Sequence, residues 1–267
     1  MKRPEVRDLP KVTLIAAASI RIPETIKALQ YSMRGFRFAE TILFTDQKLE
    51  KLPPDIRLVE ISPMRSIDDY SRFMLYEAGS YIKTSHALIV QWDGYVVNPE
   101  QWTDHFLEYD YIGALWPEQL DFRDAKGRLC RVGNGGASLR SRRLMEFPAA
   151  QSIPWEPGEN EDVFLCCKER VELEEHGFYF ADKETAAHFA QERFVPENRG
   201  VIPFAFHQWE GNNAQYIRFD RGFLFHCRQW IIGRMIRNGS YEKFRSHYRR
   251  ILKRKATDQM PEKTGGK

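Results

Sequence analysis

Four short apolar runs dominate the first third of the chain: KVTLIAAA at 11–18, ETILFTD at 40–46, IRLVEI at 56–61 and HALIVQ at 86–91. Each has the length and β-branched content of a buried strand. The interval from Pro23 to Ser32 begins at a proline and reads as a helix. The interval from Ser66 to Tyr81 places Ile67, Tyr70, Phe73, Met74 and Ala78 at helical spacing. Strands that alternate with helices can hardly pair as hairpins, so the chain is expected to form an α/β sheet whose strands run mainly parallel.

After Gln91 the pattern changes. Trp102–Glu108 fits a short helix, Tyr109–Ala114 (YDYIGA) a strand, and Cys130–Leu139 (CRVGNGGASL) a strand or turn interrupted by glycines. Glu161–His176 reads as a helix stopped by Gly177, and Lys183–Arg193 as a further helix. There is no internal repeat and no low-complexity linker.

Charge and composition narrow the function classes. Forty basic and thirty-seven acidic residues leave a net charge of +3, too balanced for a protein that grips nucleic acid across its whole surface. The longest apolar run, Val12–Ile20, is shorter than the ~20 residues that span a bilayer. The N-terminal stretch has a charged start, but Glu5, Asp8 and Pro10 fit a first buried strand better than a secretory leader. Cys130, Cys166, Cys167 and Cys227 show neither a disulfide framework nor the spacing of a zinc site. They read as reduced, buried thiols, which points to a cytoplasmic protein.

In open α/β sheets, ligands bind beyond the carboxyl ends of the strands. Four places satisfy that rule: Ala17 to Arg21, Thr45-Asp46, Gln91-Trp92-Asp93-Gly94, and the Gly133–Ser138 turn. Asp93 either holds a hard divalent cation or forms an Asx-turn into Gly94. The glycines of GNGG, Gly135 and Gly136 among them, either let main-chain N–H groups approach a ligand or close a tight turn. Glu159-Asn160-Glu161-Asp162 either caps the following helix or supplies a carboxylate base. His207, after an aromatic run, is a packed histidine in isolation and a ligand only if Asp93 needs a partner. No Rossmann or P-loop spacing is present.

Taken in order, QWDG, VGNGGASLRS, ENEDVFLC and PFAFHQ resemble the bacterial glycosyltransferase-like family DUF5672, over about Val12 to His207. YIGALWP and VGNGGASLRSRRL are the most specific pieces. The resemblance implies a GT-A-like, Rossmann-like mixed sheet flanked by helices, with a C-terminal helical extension. The chain is expected to divide into a glycosyltransferase domain at 1–215, a basic amphipathic helical extension at 216–255 read from its charge pattern, and a disordered tail at 256–267 read from its Lys, Thr, Gly and Pro content. QWDG stands where the family's DxD motif holds metal and sugar diphosphate, with Gln91 replacing the first acid and Asp93 kept. ENED resembles the xED motif, making Asp162 the base and Glu161 its neighbour, and His207 matches the histidine that completes the metal site.

The implied reaction is an inverting, hexosyltransferase-like transfer from a uridine-linked nucleotide sugar to a glycan or lipid-linked glycan hydroxyl, assisted by Mn²⁺ or Mg²⁺. Bacterial surface polysaccharide synthesis is the implied setting, at the cytoplasmic face of the membrane. Ala17, Thr45, Asp46, Gln91, Asp93, Gly135 and Gly136 are expected around the donor, with Arg72 near its diphosphate. Residues 221–255, with dense Lys and Arg, a single acid at Glu242 and interleaved apolar side chains, fit either a peripheral membrane contact or a packed helix with a solvated basic face. Two rivals share the fold: a non-catalytic sugar- or nucleotide-binding domain, and a retaining transferase that makes no use of Asp162 as a base.

Overall fold

The computed structural model describes residues 6–208 and, beyond them, positions 213, 227, 231 and 235. The chain divides into two compact units, Met1–Gln208 and Trp209–Lys267. The expected extension at 216–255, the membrane contact at 221–255 and the tail at 256–267 fall outside the described residues, save for those isolated positions.

The first unit is a mixed α/β layer structure. Its main sheet has the order β3-β2-β1-β4-β7-β6, built from β1 (Arg7–Ala17), β2 (Phe36–Thr45), β3 (Arg57–Glu60), β4 (His86–Ile89), β6 (Tyr111–Ile112) and β7 (Ser138–Ser141). β1, β2, β3 and β4 pair in parallel. β7 is antiparallel to both β4 and β6, so it alone runs against the other five. A second sheet has the order β5-β9-β8, from β5 (Gly94–Val96), β8 (Ala190–Gln191) and β9 (Ala205–His207).

The helices that cover the sheet begin where local chemistry lets them. α1 (Ile22–Ser32) carries a proline in its first turn, where a missing N–H costs nothing. α2 (Ile67–Tyr76) opens on a capping box between Ser66 and Asp69, worth about 1 kcal/mol. α3 (Arg142–Ala150) is capped by the Ser141 hydroxyl, which accepts from Leu144 N at 3.2 Å. α2 and α3 lay Tyr70, Phe73, Met74 and Met145 on Ile15, Ile42, Phe44, Ala87 and Ile89 of the sheet. A second core gathers Tyr111, Trp116, Phe164, Leu173 and Phe178 around the cysteines 130, 166 and 167. Edge-to-face contacts of Trp102 with Phe36, Phe106 and Phe204 hold the smaller sheet's surroundings.

Three expected helices end early or break. The run from Ser66 gives way after Tyr76 to a 3₁₀ turn at Ala78–Tyr81, where a Cβ on Gly79 would lie 2.7 Å from Met145 O. Glu161–His176 is split into α4 (Glu161–Val163), a π-helical turn (Phe164–Lys168) and α5 (Arg170–Glu175), with Gly177 left-handed after it. α6 (Lys183–Phe189), capped by Asp182, stops because Ala190 and Gln191 pair with β9. Among the described residues no helix is long and apolar enough to cross a membrane.

Candidate active site at the strand ends

β4 runs out at Ile89, and Gln91 and Gly94 close a tight turn by exchanging backbone hydrogen bonds of 2.8 and 3.0 Å. Trp92 and Asp93 occupy its corner. The turn feeds β5, which pairs antiparallel with β9 so that Gly94 stands opposite His207. This pairing brings together two residues separated by more than a hundred positions. It also sets His207 Nε2 3.7 Å from Asp93 Oδ1. Glu192 lies on the other side of the ring, with Oε1 3.8 Å from His207 Nδ1. Gln91 Oε1 is 3.2 Å from His207 Nε2, and the Gln91 amide donates to the Tyr70 hydroxyl at 3.0 Å.

The glycine loop reaches this turn because β7 is antiparallel. Its first residue, Ser138, pairs with Ile89, so residues 133–137 lie beside the end of β4. Asn134 takes the left-handed conformation that its short side chain tolerates, and its Oδ1 accepts from Gly136 N at 3.2 Å. The neighbouring glycines are required by crowding. A Cβ on Gly136 would sit 2.1 Å from His207 Nε2, and one on Gly135 would sit 2.2 Å from Glu161 Oε1.

Gly135 N donates to Asp162 Oδ2 at 2.8 Å, and Val163 N donates to Asp162 Oδ1 at 2.8 Å. Glu161 is buried and ion-paired with Arg140 at 2.9 Å, while its amide donates to Ser71 Oγ at 3.2 Å. Arg140 also donates to Ser138 Oγ at 3.1 Å, and its guanidinium carbon lies 5.0 Å from the Tyr111 ring centre. α4 is thus fastened to α2, to β7 and to the glycine loop.

Burial pushes the Asp162 carboxyl up to about 6, helped by the charge of Glu161 and opposed by the Gly135 amide and Arg140. Asp162 retains some surface, but its oxygens are ringed by packed atoms. Burial also raises Asp93, against the pull of His207 and Arg21. The Tyr70 and Tyr111 phenols are raised by burial as well, so both are neutral donors or acceptors at ordinary pH.

The structure therefore groups Gln91, Asp93, Gly136 and His207, and beside them Gly135, Glu161 and Asp162. Ala17, Thr45 and Asp46 line the adjoining ends of β1 and β2, where Ala18 N donates to Phe44 O at 3.0 Å. Asp46 is held low by the Ser19 hydroxyl, which also accepts from Met64 N at 2.9 Å. Arg72 lies apart, exposed on the outer side of α2 near Tyr76. The cation beside the Asp93 turn is Arg21, whose guanidinium carbon is 4.4 Å from the Trp92 ring centre. Arg21 begins α1 in a left-handed conformation without a side-chain cap, an arrangement that costs energy and is common at functional loops. A cavity of about 740 Å³ lined by Arg34, Arg37 and Arg57 lies at the other end of β2 and β3, away from these groups.

Among the described residues no three His, Cys, Asp or Glu side chains converge as a closed metal site. Asp93 Oδ1 is buried without a hydrogen-bond partner and faces the imidazole, so the pair fits a two-ligand site completed by ligand phosphates and water.

The model of a family described as a protein of unknown function (DUF5672) matches residues 54–207. No curated protein matches the sequence. Among solved structures the chain is similar to an active-site mutant of LgtC, with 14% identity and a TM-score of 0.43 over 73% of this chain and 86% of that one. It is also similar to the glycosyltransferase GlyE of Streptococcus pneumoniae TIGR4, with 12% identity and a TM-score of 0.41 over 87% and 64%. A third is a glycosyltransferase involved in glycosylation of the major capsid of PBCV-1, with 13% identity and a TM-score of 0.43 over 77% and 96%.

Proposed function

The chain belongs to the family of unknown function DUF5672, and from that premise and the geometry of its strand ends we propose that it is a glycosyltransferase. The reaction moves a sugar from a nucleoside diphosphate, uridine-linked, to a hydroxyl of a glycan or lipid-linked glycan, with inversion at the anomeric carbon. The observation that carries this reading is the placement of Asp162 on the Gly135 amide, one residue from the Gly136 that packs on His207. A base and a diphosphate-binding pair thereby flank a single loop.

A carboxylate oxygen can accept more than one hydrogen bond, so Asp162 keeps lone pairs for a substrate although each oxygen already holds one amide. With its carboxyl near 6, Asp162 is ionised at neutral pH and is a stronger base than an ordinary aspartate. It takes the acceptor hydroxyl proton while that oxygen attacks the anomeric carbon. The bond to the diphosphate breaks with its electron pair on the phosphate oxygen. Asp93 and His207 would hold Mn²⁺ or Mg²⁺ against the diphosphate. The ion would there stabilise the charge of the leaving group. Arg21 adds positive charge on the same side, in the role the sequence suggested for Arg72. Ala17, Thr45 and Asp46 bound the space for ribose and base. Glu161 acts through Arg140 as a positioning residue. The proposed setting is the synthesis of bacterial surface polysaccharide, with residues 221–255 either a peripheral membrane contact or a packed helix with a solvated basic face.

A second reading follows from Gln91, which replaces an acid and is committed to His207 and Tyr70: a domain that binds nucleotide or sugar without turnover. Incubating the full chain with a panel of nucleotide sugars and Mn²⁺ separates the two. Donor hydrolysis or transfer with an inverted anomeric NMR signal is expected. A retained configuration removes Asp162 as the base, and binding of every donor without turnover establishes the second reading.

A further inference from the structure

Three donor atoms meet just past the end of β4. Gln91 Oε1 lies 3.2 Å and Asp93 Oδ1 3.7 Å from His207 Nε2. Adjacent ligands of an octahedral Mg²⁺ or Mn²⁺ stand about 3 Å apart, so this spacing suits one ion shared by all three. The Gln91 amide has its oxygen on the side that counts. Its nitrogen donates to the Tyr70 hydroxyl at 3.0 Å, and Tyr70 is packed with α2 against the sheet, which leaves the oxygen facing the imidazole. The ring is equally confined: a Cβ on Gly94 would lie 2.8 Å from His207 Cδ2, and one on Gly136 would lie 2.1 Å from Nε2.

What the three donors lack is charge. Asp93 is the single carboxylate among them. Glu192 faces Nδ1 at 3.8 Å, and because the two ring nitrogens point apart it does not reach an ion on Nε2. Asp162 has its oxygens on the amides of Gly135 and Val163. A divalent cation would therefore meet one negative charge from this cluster, and the affinity of oxygen ligands for hard cations follows that count.

We propose that Gln91 is a third, neutral ligand of the cation, and that its neutrality makes cation and nucleoside diphosphate bind as one event. The inference rests on the transferase reading for the ion itself and adds the side chain that sets its affinity. The diphosphate supplies the missing negative charge, so the protein retains Mn²⁺ while nucleotide is bound and releases the two together. Binding free energies are reciprocal: the factor by which Mn²⁺ tightens the nucleotide is the factor by which the nucleotide tightens Mn²⁺. A carboxylate of the same shape at position 91 should break that dependence, because the nucleotide-free protein then offers the ion two charges.

The test reads binding by the full chain and needs no turnover. Calorimetry with MnCl₂ alone, uridine diphosphate alone and both together, corrected for the complex the two form in solution, is expected to show a roughly tenfold mutual gain in the parent. Gln91→Glu is expected to bind Mn²⁺ alone about tenfold more tightly than the parent does, and to gain less from nucleotide. Gln91→Met, which keeps the length and removes the oxygen, is expected to lose most of the mutual gain while uridine diphosphate alone binds as in the parent. A packing role predicts a different pattern, in which Gln91→Met loses nucleotide affinity without metal and Gln91→Glu gains nothing toward Mn²⁺. That pattern, or a parent-like mutual gain in Gln91→Met, overturns the inference and leaves the cation in place. A parent that gains nothing from Mn²⁺ removes the cation and the inference together. Gln91→Glu decides the matter where Gln91→Met fails to fold, since a gain in affinity requires a folded site.

Discussion

Asp162, held on the Gly135 amide, and Asp93, beside His207, are both raised by burial, yet their surroundings differ in kind. Asp162 has each oxygen fixed by a backbone amide and stands beside a buried Glu161–Arg140 pair. Asp93 has one buried oxygen with no hydrogen bond and an imidazole 3.7 Å away. The first half is preorganised by the protein alone. The second leaves one carboxylate oxygen without a hydrogen bond. The two surroundings meet at Gly135-Gly136, whose lack of side chains lets both lie close to the loop.

The largest effect that would break this contrast is expected at Asp162. Asp162→Asn keeps the shape and one acceptor for the amides but removes the base, so turnover should fall by a factor on the order of 10² to 10⁴ while donor affinity persists. In the parent, kcat/KM should decline as pH drops through about 6, by about tenfold per unit, because the ionised form is the active one. Folding has the opposite sign. The folded chain holds this proton more tightly than the unfolded chain, so the group's contribution to stability declines as pH rises from about 4 through about 6. An acidic limb retained in Asp162→Asn would assign the titration elsewhere.

Next in size is the support behind Asp162. Arg140→Met strands Glu161 as a buried charge and should cost about 3–5 kcal/mol in urea unfolding, with much of the loss recovered by the double variant Arg140→Met/Glu161→Met. A cost below about 1 kcal/mol for the single variant would mean the preorganised half is not held in this way. The smallest effect is expected around Asp93. Asp93→Ala or His207→Ala should abolish the roughly tenfold gain in nucleoside diphosphate affinity that Mn²⁺ is expected to bring, measured by calorimetry. Unchanged enhancement in both variants would move the cation elsewhere.

Much of this contrast was legible beforehand. QWDG ends the most apolar strand, and parallel topology puts such residues at the binding edge. Asp162 stood out because acids cluster before a helix. Arg140 did not, since a charged residue in a short strand reads as solvent-facing, and its partner lies twenty-one positions away in sequence. The helical period already placed Arg72 on the outer side of α2, and that signal outweighs proximity to the strand ends. Arg21 was inside the first named loop, but only the fold lays it on Trp92. The π turn is equally silent in the sequence, because one inserted residue barely alters the apolar pattern expected from Glu161 to His176.

The glycine pair also limits how this lineage can diversify. A methyl group at either position strikes a carboxylate on one side or the imidazole on the other, so neither half-site can be reshaped through the loop without disturbing its neighbour. On the proposed transferase reading, new preferences for donor or acceptor would then arise at the periphery, where Ser19, Thr45 and Asp46 border the strand ends, and relatives that handle different sugars should differ there and share an unaltered inner wall.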